Sequence, residues 1–190
     1  MTVKRGPRRR GLDSRVSTPG PTTTRPNDSL VPVTFRILVV CTGNICRSAM
    51  AEVVLRHRAV RAGIGVEVAS AGTSDEEEGN PMDPRAASVL ADRGYAGFEH
   101  LAHQVAPEDL DADLILAMTR RHRRALLDLG ADPARTRLWT EFIPDSRHPD
   151  VADPWYGDRR DFEETLAVIE AGAPTILAAV RTGSEPRPQD

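Results

Sequence analysis

Short apolar runs alternate with helical patterns along the middle of this chain. Strands are predicted where β-branched and apolar residues run together, and helices where apolar residues recur every three or four positions. The predicted strands cover 36–40, 66–69, 114–118 and, more briefly, 137–138. The predicted helices cover 48–62, 84–93, 120–129 and 159–180, the last interrupted near Gly172 and Pro174.

This order of elements predicts an α/β fold. A strand–helix alternation with right-handed crossovers gives a four-stranded parallel sheet in the order 2-1-3-4, with helices on both faces. In that order the loop after the first strand lies at the topological switch point, where open parallel sheets bind their ligands. Any chemistry is therefore expected in the residues that follow Val40.

Composition changes at both ends of the chain. Residues 1–32 are rich in Arg, Pro and Thr without apolar periodicity, which predicts a disordered extension, and residues 183–190 predict a disordered tail. The domain between them covers 33–182. Residues 1–30 carry a net charge of +5, so the remainder carries −8 of the total of −3. The basic arm is interpreted as a solvated extension, or as the product of a start codon placed too far upstream. Binding to nucleic acid or to an anionic membrane is the alternative.

The 39% hydrophobic content is typical of a globular domain, and the absence of about twenty consecutive apolar residues predicts no membrane span. Only Cys41 and Cys46 are present, in one loop, which argues against a disulfide framework and predicts a cytoplasmic setting. The histidines are scattered, so neither a metal nor another cofactor is expected. The folded domain is not expected to bind nucleic acid, and its oligomeric state is left open.

The loop from Cys41 to Ser48 carries the chemistry. Its backbone N–H groups face the space in front of a helix N-terminus, which attracts phosphate. A thiolate at Cys41 would be stabilised there beside the Arg47 guanidinium, whose planar fork suits phosphoryl oxygens. The Ser48 hydroxyl can donate to the sulfur, and Gly43 and Asn44 are expected to supply positive φ angles.

Five segments, in order, resemble the low-molecular-weight protein tyrosine phosphatases, over roughly 35–181 of the chain. They are Cys-Thr-Gly-Asn-Ile-Cys-Arg-Ser at 41–48, Ser-Ala-Gly-Thr at 70–73, Asp-Pro-Arg-Ala at 83–86, His-Leu-Ala-His-Gln at 100–104 and Asp-Pro-Trp-Tyr-Gly at 153–157.

The resemblance implies hydrolysis of phosphotyrosine through a phosphocysteine intermediate. Cys41 would be the nucleophile, Arg47 the phosphate clamp and Asp153 the general acid and base, since one carboxyl group can protonate the leaving oxygen and then activate water. The other implied phosphate-binding residues are Thr42, Gly43, Asn44, Ile45, Cys46 and Ser48. The implied supporting residues are Ser70, His100, Trp155 and Tyr156. Cys46 would also be a redox partner of Cys41, and the protein partners would be phosphotyrosine proteins and a bacterial tyrosine kinase.

Several positions depart from the family pattern. Asp75-Glu76-Glu77-Glu78 stands where an aromatic residue usually flanks the phosphotyrosine ring. Ala49, His103 and Thr119 replace a proline, an arginine and an aspartate. These changes are expected to affect substrate affinity rather than the chemistry.

Three alternatives stay open at this point. A phosphoarginine phosphatase is disfavoured by apolar Ile45 and by Trp155-Tyr156, and an arsenate reductase of this fold by the lack of further cysteines. A phosphate-loop binding protein without turnover is disfavoured because Cys41, Arg47 and Asp153 are all retained.

Overall fold

The computed structural model describes residues 1–2, 34–95 and 99–182. The predicted N-terminal extension, apart from Met1 and Thr2, and the predicted C-terminal tail lie outside these residues. The strands are β1 (Phe35–Cys41), β2 (Val66–Gly72), β3 (Leu114–Ala117) and β4 (Thr136–Leu138). The helices are α1 (Arg47–Ala62), α2 (Pro84–Asp92), α3 (Arg120–Asp128) and α4 (Arg159–Thr182). Two 3₁₀ turns, Pro107–Asp111 and Trp139–Phe142, were not predicted.

The four strands form one parallel sheet in the order β2-β1-β3-β4, which confirms the predicted fold class. Side chains of β1 alternate between two apolar cores. Ile37 and Val39 pack in the core that includes α1, α2 and α4, whereas Leu38 and Val40 pack in the core that includes α3. A strand buried on both faces explains why β1 has no polar alternation in its sequence.

β2 is three residues longer than predicted. Ser70, Ala71 and Gly72 continue the parallel pairing opposite Val39, Val40 and Cys41. The extra pairing carries β2 to the same edge of the sheet as the end of β1. A short polar side chain at Ser70 is thereby placed directly beneath the loop that follows Cys41.

The predicted interruption of the last helix is wrong, because α4 runs unbroken through Gly172 and Pro174. Pro174 has no N–H for the carbonyl of Glu170, one turn earlier. The guanidinium of Arg58 on α1 donates to that carbonyl instead, at 2.9 Å. Gly172 allows close packing, since a Cβ there would lie 2.6 Å from Nε1 of Trp139. Tertiary contacts thus stabilise the helix at both residues that would otherwise interrupt it.

Within the described residues, α4 is also the one helix long and apolar enough to cross a membrane, with a mean hydropathy of 1.2 over its most apolar 18 residues. Phe162, Leu166, Ile169 and Ile176 on this helix are completely buried in the core. A core helix of a globular protein passes the same test of length and composition, so this property is weak evidence for a span.

Candidate active site

The loop after β1 leads directly into α1. Cys46 occupies the N-cap of α1 without a capping hydrogen bond from its side chain, and the first turn contains no acidic residue. In the described part of the chain, none of the backbone N–H groups of residues 43–47 has a protein acceptor. The amides and the positive end of the helix dipole therefore remain available to an anion.

The two loop residues expected to have positive φ differ in outcome. Asn44 has a φ of 58°, as expected, but Gly43 is not among the described glycines with positive φ. What Gly43 provides is space: a Cβ at this position would lie 2.9 Å from Cγ of Glu77. The glycine is needed because the segment after β2 packs against the loop.

Asn44 is the centre of the hydrogen bonds that support the loop. Its side chain is completely buried. Its Nδ2 donates to Oγ of Ser48 at 2.9 Å and to Oγ of Ser70 at 2.8 Å. Its Oδ1 accepts from the backbone N–H of His103 at 3.1 Å. Its carbonyl oxygen accepts from Nε2 of His100 at 2.5 Å. These contacts offset the cost of a left-handed non-glycine residue.

The same network reaches the sulfur of Cys41. Oγ of Ser48 lies 3.0 Å from Sγ of Cys41. Because this hydroxyl accepts from Asn44, its own proton can go to the sulfur or to the carbonyl of Ala71, and the carbonyl is the more distant acceptor, at 3.4 Å. Cys41 itself is 3% exposed. A hydrogen bond of this kind stabilises a thiolate relative to the neutral thiol.

Glu52 belongs to this network, and the sequence reasoning missed it. Its carboxylate accepts a hydrogen bond of 2.5 Å from Oγ of Ser70 and lies 3.8 Å from Nδ1 of His100. Arg56 also contacts it, at 2.7 Å. A glutamate on the apolar face of α1 was the available signal, since a buried carboxylate needs partners.

Arg47 joins the loop to Asp153. The guanidinium is 4% exposed and forms an ion pair with the Asp153 carboxylate, which is about half exposed. Its Nη1 donates weakly to the carbonyl of Val151, at 3.4 Å. Its buried Nε has no partner among the described residues. The Nη2 group of the guanidinium therefore binds the Asp153 carboxylate, while the Nε–H group has no acceptor among the described residues.

The segment after Asp153 is held in place by Arg85 of α2, a residue whose role the sequence did not indicate. Arg85 donates to both carboxylate oxygens of Asp83 and to the carbonyl of Gly157, at 3.0 Å in the last case. Its guanidinium lies 5.7 Å from the ring centroid of Trp155 and 4.6 Å from that of Phe162. These contacts connect α2 to the segment that carries the acid.

The two aromatic residues of that segment differ in exposure. The exposed fraction is 38% for Trp155 and 95% for Tyr156. Rings this exposed beside a phosphate loop provide apolar surface for an aryl group.

Ile45 and Cys46 are also buried, at 8% and 5% exposure. Both side chains pack in the core on the α1 and α4 side of the sheet. Burial raises the pKa of the Cys46 thiol, and the negative charges of Asp83, Cys41 and Asp153 raise it further. Cys46 is therefore a neutral thiol at physiological pH.

A second contact with the loop comes from α3. Nε2 of His122 lies 2.9 Å from Oγ1 of Thr42. The sequence reasoning counted His122 only among scattered histidines. Its spacing of four from Leu126, on the buried side of α3, was the available signal, since both are buried.

The acidic segment 75–78 lies beside the loop. Besides the contact of Glu77 with Gly43, the Glu77 carboxylate accepts from Asn80 and the Glu78 carboxylate from the backbone of Gln104. Asp75 and Glu76 are exposed. Two of the four carboxylates are thus occupied locally, and two face solvent.

Thr119 caps α3, where the family usually has an aspartate. Its Oγ1 accepts from the backbone N–H of His122 at 3.2 Å. Threonine is a good N-cap, so this departure preserves the start of the helix. Among the described residues no group of three or more His, Cys, Asp or Glu side chains is suited to hold a metal ion.

A parallel α/β sheet that presents a Cys-x5-Arg loop to a helix N-terminus, with a carboxylate paired to the arginine, defines the class of cysteine-dependent phosphatases. Comparison with known proteins specifies the member of that class. The chain belongs to the low molecular weight phosphotyrosine protein phosphatase family, whose model matches residues 36–185.

Individual relatives agree with this assignment. Low molecular weight protein-tyrosine phosphatase A of Mycobacterium tuberculosis is 49% identical over 148 residues, covering 75% of this chain and 89% of the relative. The crystal structure of YfkJ from Bacillus subtilis has a TM-score of 0.75 at 31% identity, covering 80% of this chain and 98% of that one. The YwlE arginine phosphatase structure has a TM-score of 0.69 at 29% identity, covering 77% and 96%. The fold therefore accommodates more than one phosphate ester or amidate.

Proposed function

We propose that this protein hydrolyses phosphotyrosine in proteins through a phosphocysteine intermediate. The observation that carries the proposal is the buried Arg47 guanidinium, which lies on the loop of Cys41 and pairs with Asp153, 106 residues further along the chain. Nucleophile, clamp and acid thereby form one site. The name of the mycobacterial relative supports protein phosphotyrosine as the substrate, and a tyrosine kinase would be the enzyme that produces it.

In the first step, the Cys41 thiolate attacks phosphorus as the bond to the tyrosyl oxygen breaks. The loop amides and Arg47 bind the equatorial oxygens and stabilise the charge of the transition state. A bound dianion competes with Asp153 for the guanidinium, which releases the carboxyl group toward the leaving oxygen. Once free of Arg47, the carboxylate takes up a proton from solvent, and the protonated Asp153 donates that proton to the leaving phenolate.

In the second step, water cleaves the bond between sulfur and phosphorus. Asp153, now ionised, accepts the proton of the attacking water, and Cys41 leaves as a thiolate. Ser48 stabilises that thiolate at the start and the end of the cycle, because its hydroxyl lies 3.0 Å from the sulfur. Asn44, Ser70 and His100 act earlier, by fixing the loop before substrate arrives.

The cytoplasm is the proposed setting, since the nucleophile must stay reduced and both cysteines are free thiols. Among possible substrates, the exposed rings of Trp155 and Tyr156 favour an aryl phosphate over phosphoarginine.

The test is turnover of phosphotyrosine peptide, phosphoarginine peptide and arsenate side by side, with Cys41→Ser as the control. We expect phosphotyrosine to be hydrolysed best, and the variant to keep less than about a hundredth of the rate. The variant should still bind phosphate or vanadate, because the amides and Arg47 are retained. A higher residual rate would exclude Cys41 as the nucleophile, and faster phosphoarginine turnover would overturn the substrate assignment.

A further inference from the structure

The contact between α3 and the phosphate loop has no role in the chemistry described above. His122 is 3% exposed and lies in the first turn of α3. Its backbone N–H is fixed by Thr119, and its Nε2 lies 2.9 Å from Oγ1 of Thr42, 80 residues earlier in the chain. A buried polar side chain aimed at the residue next to the nucleophile calls for an explanation.

The other ring nitrogen determines the direction of this hydrogen bond. Nδ1 of His122 is buried and has no partner among the described residues. Buried N–H groups without an acceptor are rarer in folded proteins than buried acceptors with an unused lone pair. The neutral tautomer therefore carries its proton on Nε2.

The imidazole also stays neutral in the working range of pH. Burial lowers the pKa of His122 to about 4, and the positive charges of Arg47 and Arg121 act in the same direction. A neutral ring with its proton on Nε2 can only donate to Thr42.

This direction fixes the role of the threonine hydroxyl. Oγ1 of Thr42 accepts the proton of His122, and among the described residues it has no other hydrogen-bond partner. A hydroxyl that accepts one hydrogen bond keeps its own proton for a second acceptor. Thr42 directly follows Cys41 and its side chain is only partly buried, so this proton is open to solvent or to a ligand bound at the loop.

We propose that His122 is a positioning residue that orients the Thr42 hydroxyl as a hydrogen-bond donor to an oxygen of the phosphate ester bound beside Cys41. The proposal rests on the phosphatase function proposed above and adds one donor to the amides and Arg47. His122 itself does not touch the substrate.

The test is a double-mutant cycle measured on kcat/KM for an aryl phosphate. Thr42→Val removes the hydroxyl at nearly constant shape, and His122→Leu removes the donor. Each should lower kcat/KM about three- to tenfold, the usual effect of one hydrogen bond. The double variant should be no worse than either single variant, because both remove the same interaction.

A matched variant separates positioning from packing. The amide of His122→Gln can place an N–H close to the former Nε2, so this variant should recover kcat/KM to within about twofold of the wild type. Losses that multiply in the double variant would overturn the proposal. So would a glutamine variant as slow as the leucine variant while both melt cooperatively near the wild-type temperature.

Nitrogen NMR of the histidine rings provides a readout that packing alone does not move. We expect His122 to show a protonated Nε2 and a bare Nδ1, unchanged between about pH 5 and 8. A proton on Nδ1 would overturn the assignment even if His122→Leu failed to fold. If the wild type had no turnover, the proposed function would fail, but the same cycle measured on the dissociation constant of inorganic phosphate would still decide the coupling.

Discussion

At the scale of single residues, Asp153 is the group whose role depends most on geometry. Asp-Pro also occurs at 83–84 and 132–133, yet only the Asp153 carboxylate contacts Arg47. Asp83 pairs with Arg85, and Asp132 with Arg135. The three dipeptides therefore have different surroundings: Asp83 donates its backbone N–H to the carbonyl of Ile45 in the loop, but only Asp153 places its carboxylate against Arg47.

Asp153→Asn should slow hydrolysis of esters with poor leaving groups far more than hydrolysis of a nitrophenyl ester. A basic leaving oxygen needs the proton of a general acid, a contribution typically of about a hundredfold or more, whereas nitrophenolate needs little. Steady-state rates across a series of aryl phosphates measure this difference. Asp158→Asn is the matched control, since Asp158 lies in the same region and only caps α4. A uniform loss across leaving groups would remove Asp153 from the acid role.

Redox control is the second prediction at this scale, and it concerns Cys46. We expect peroxide to convert the Cys41 thiolate into a sulfenic acid; the Cys46 thiol, which loses its proton as it attacks, then forms a disulfide with Cys41, and that proton leaves with the hydroxyl group as water. Wild-type activity lost to peroxide should return with a thiol reductant, whereas Cys46→Ala should be lost irreversibly. Mass spectrometry of the oxidised protein identifies the bond. Its absence, or equal recovery of both proteins, would contradict the prediction.

The sequence indicated the residues of recognisable motifs, and missed those whose role depends on a partner from another element. Residue type and spacing pointed to Cys41, Arg47 and Asp153 as candidate nucleophile, clamp and acid, and the structure brings Arg47 and Asp153 into contact. The space needed at Gly43 depends on a side chain 34 positions later, which no local pattern contains. Glu52 and His122 were overlooked for the same reason. Their partners come from other elements.

At the scale of elements, the fold was predictable because each strand and helix has a local signature. The order and the types were correct, and most boundaries were within a few residues. The exception was α4, where Gly172 and Pro174 are genuine breaking signals. They were outweighed by Trp139 and Arg58, which lie on other elements, so the local pattern could not reveal the outcome.

Arg58→Met should destabilise the protein by about 1–2 kcal/mol, because the Glu170 carbonyl loses its replacement donor and Glu170 loses an ion-pair partner. In a Pro174→Ala background the cost should be smaller, since alanine supplies the backbone N–H that proline lacks and can restore the helical hydrogen bond. Urea unfolding of the four proteins measures the coupling. Arg61→Met, at an exposed position on the same helix, is the control. Equal costs in both backgrounds would show that Arg58 does not compensate for the proline.

At the scale of the whole molecule, charge is distributed unevenly. The chain has 28 acidic and 25 basic residues, and the N-terminal arm concentrates positive charge. At the site the opposite holds, because Asp75 and Glu76 expose carboxylates beside the phosphate loop. Phosphopeptides with nearby Arg or Lys should therefore be favoured over acidic ones.

Neutralising both exposed carboxylates, with Asp75→Asn and Glu76→Gln, should reduce this preference by a few fold at low salt. In the wild type, added salt alone should reduce it. Glu77 and Glu78 are left unchanged because their carboxylates support the local structure. The control removes the same charge at Glu67 and Asp111, which lie near the amino ends of β2 and β3, away from the phosphate loop. The measurement is kcat/KM for a basic and for an acidic phosphopeptide. Equal values for the wild type at low salt would refute the predicted preference for basic peptides.

The hydrogen bonds of Asn44 have a consequence for inhibitor design. Its partners Ser48, Ser70, His100 and His103 come from different parts of the chain. Their hydrogen bonds hold the phosphate loop, which is the anion cradle of this site, in one conformation before any ligand enters. An inhibitor gains little by reshaping a cradle that is already formed, and we expect relatives with the same loop sequence to offer the same template. Discrimination between this enzyme and its relatives must come from groups that reach past the phosphate to the rim, where this chain has exposed carboxylates in place of an aromatic ring.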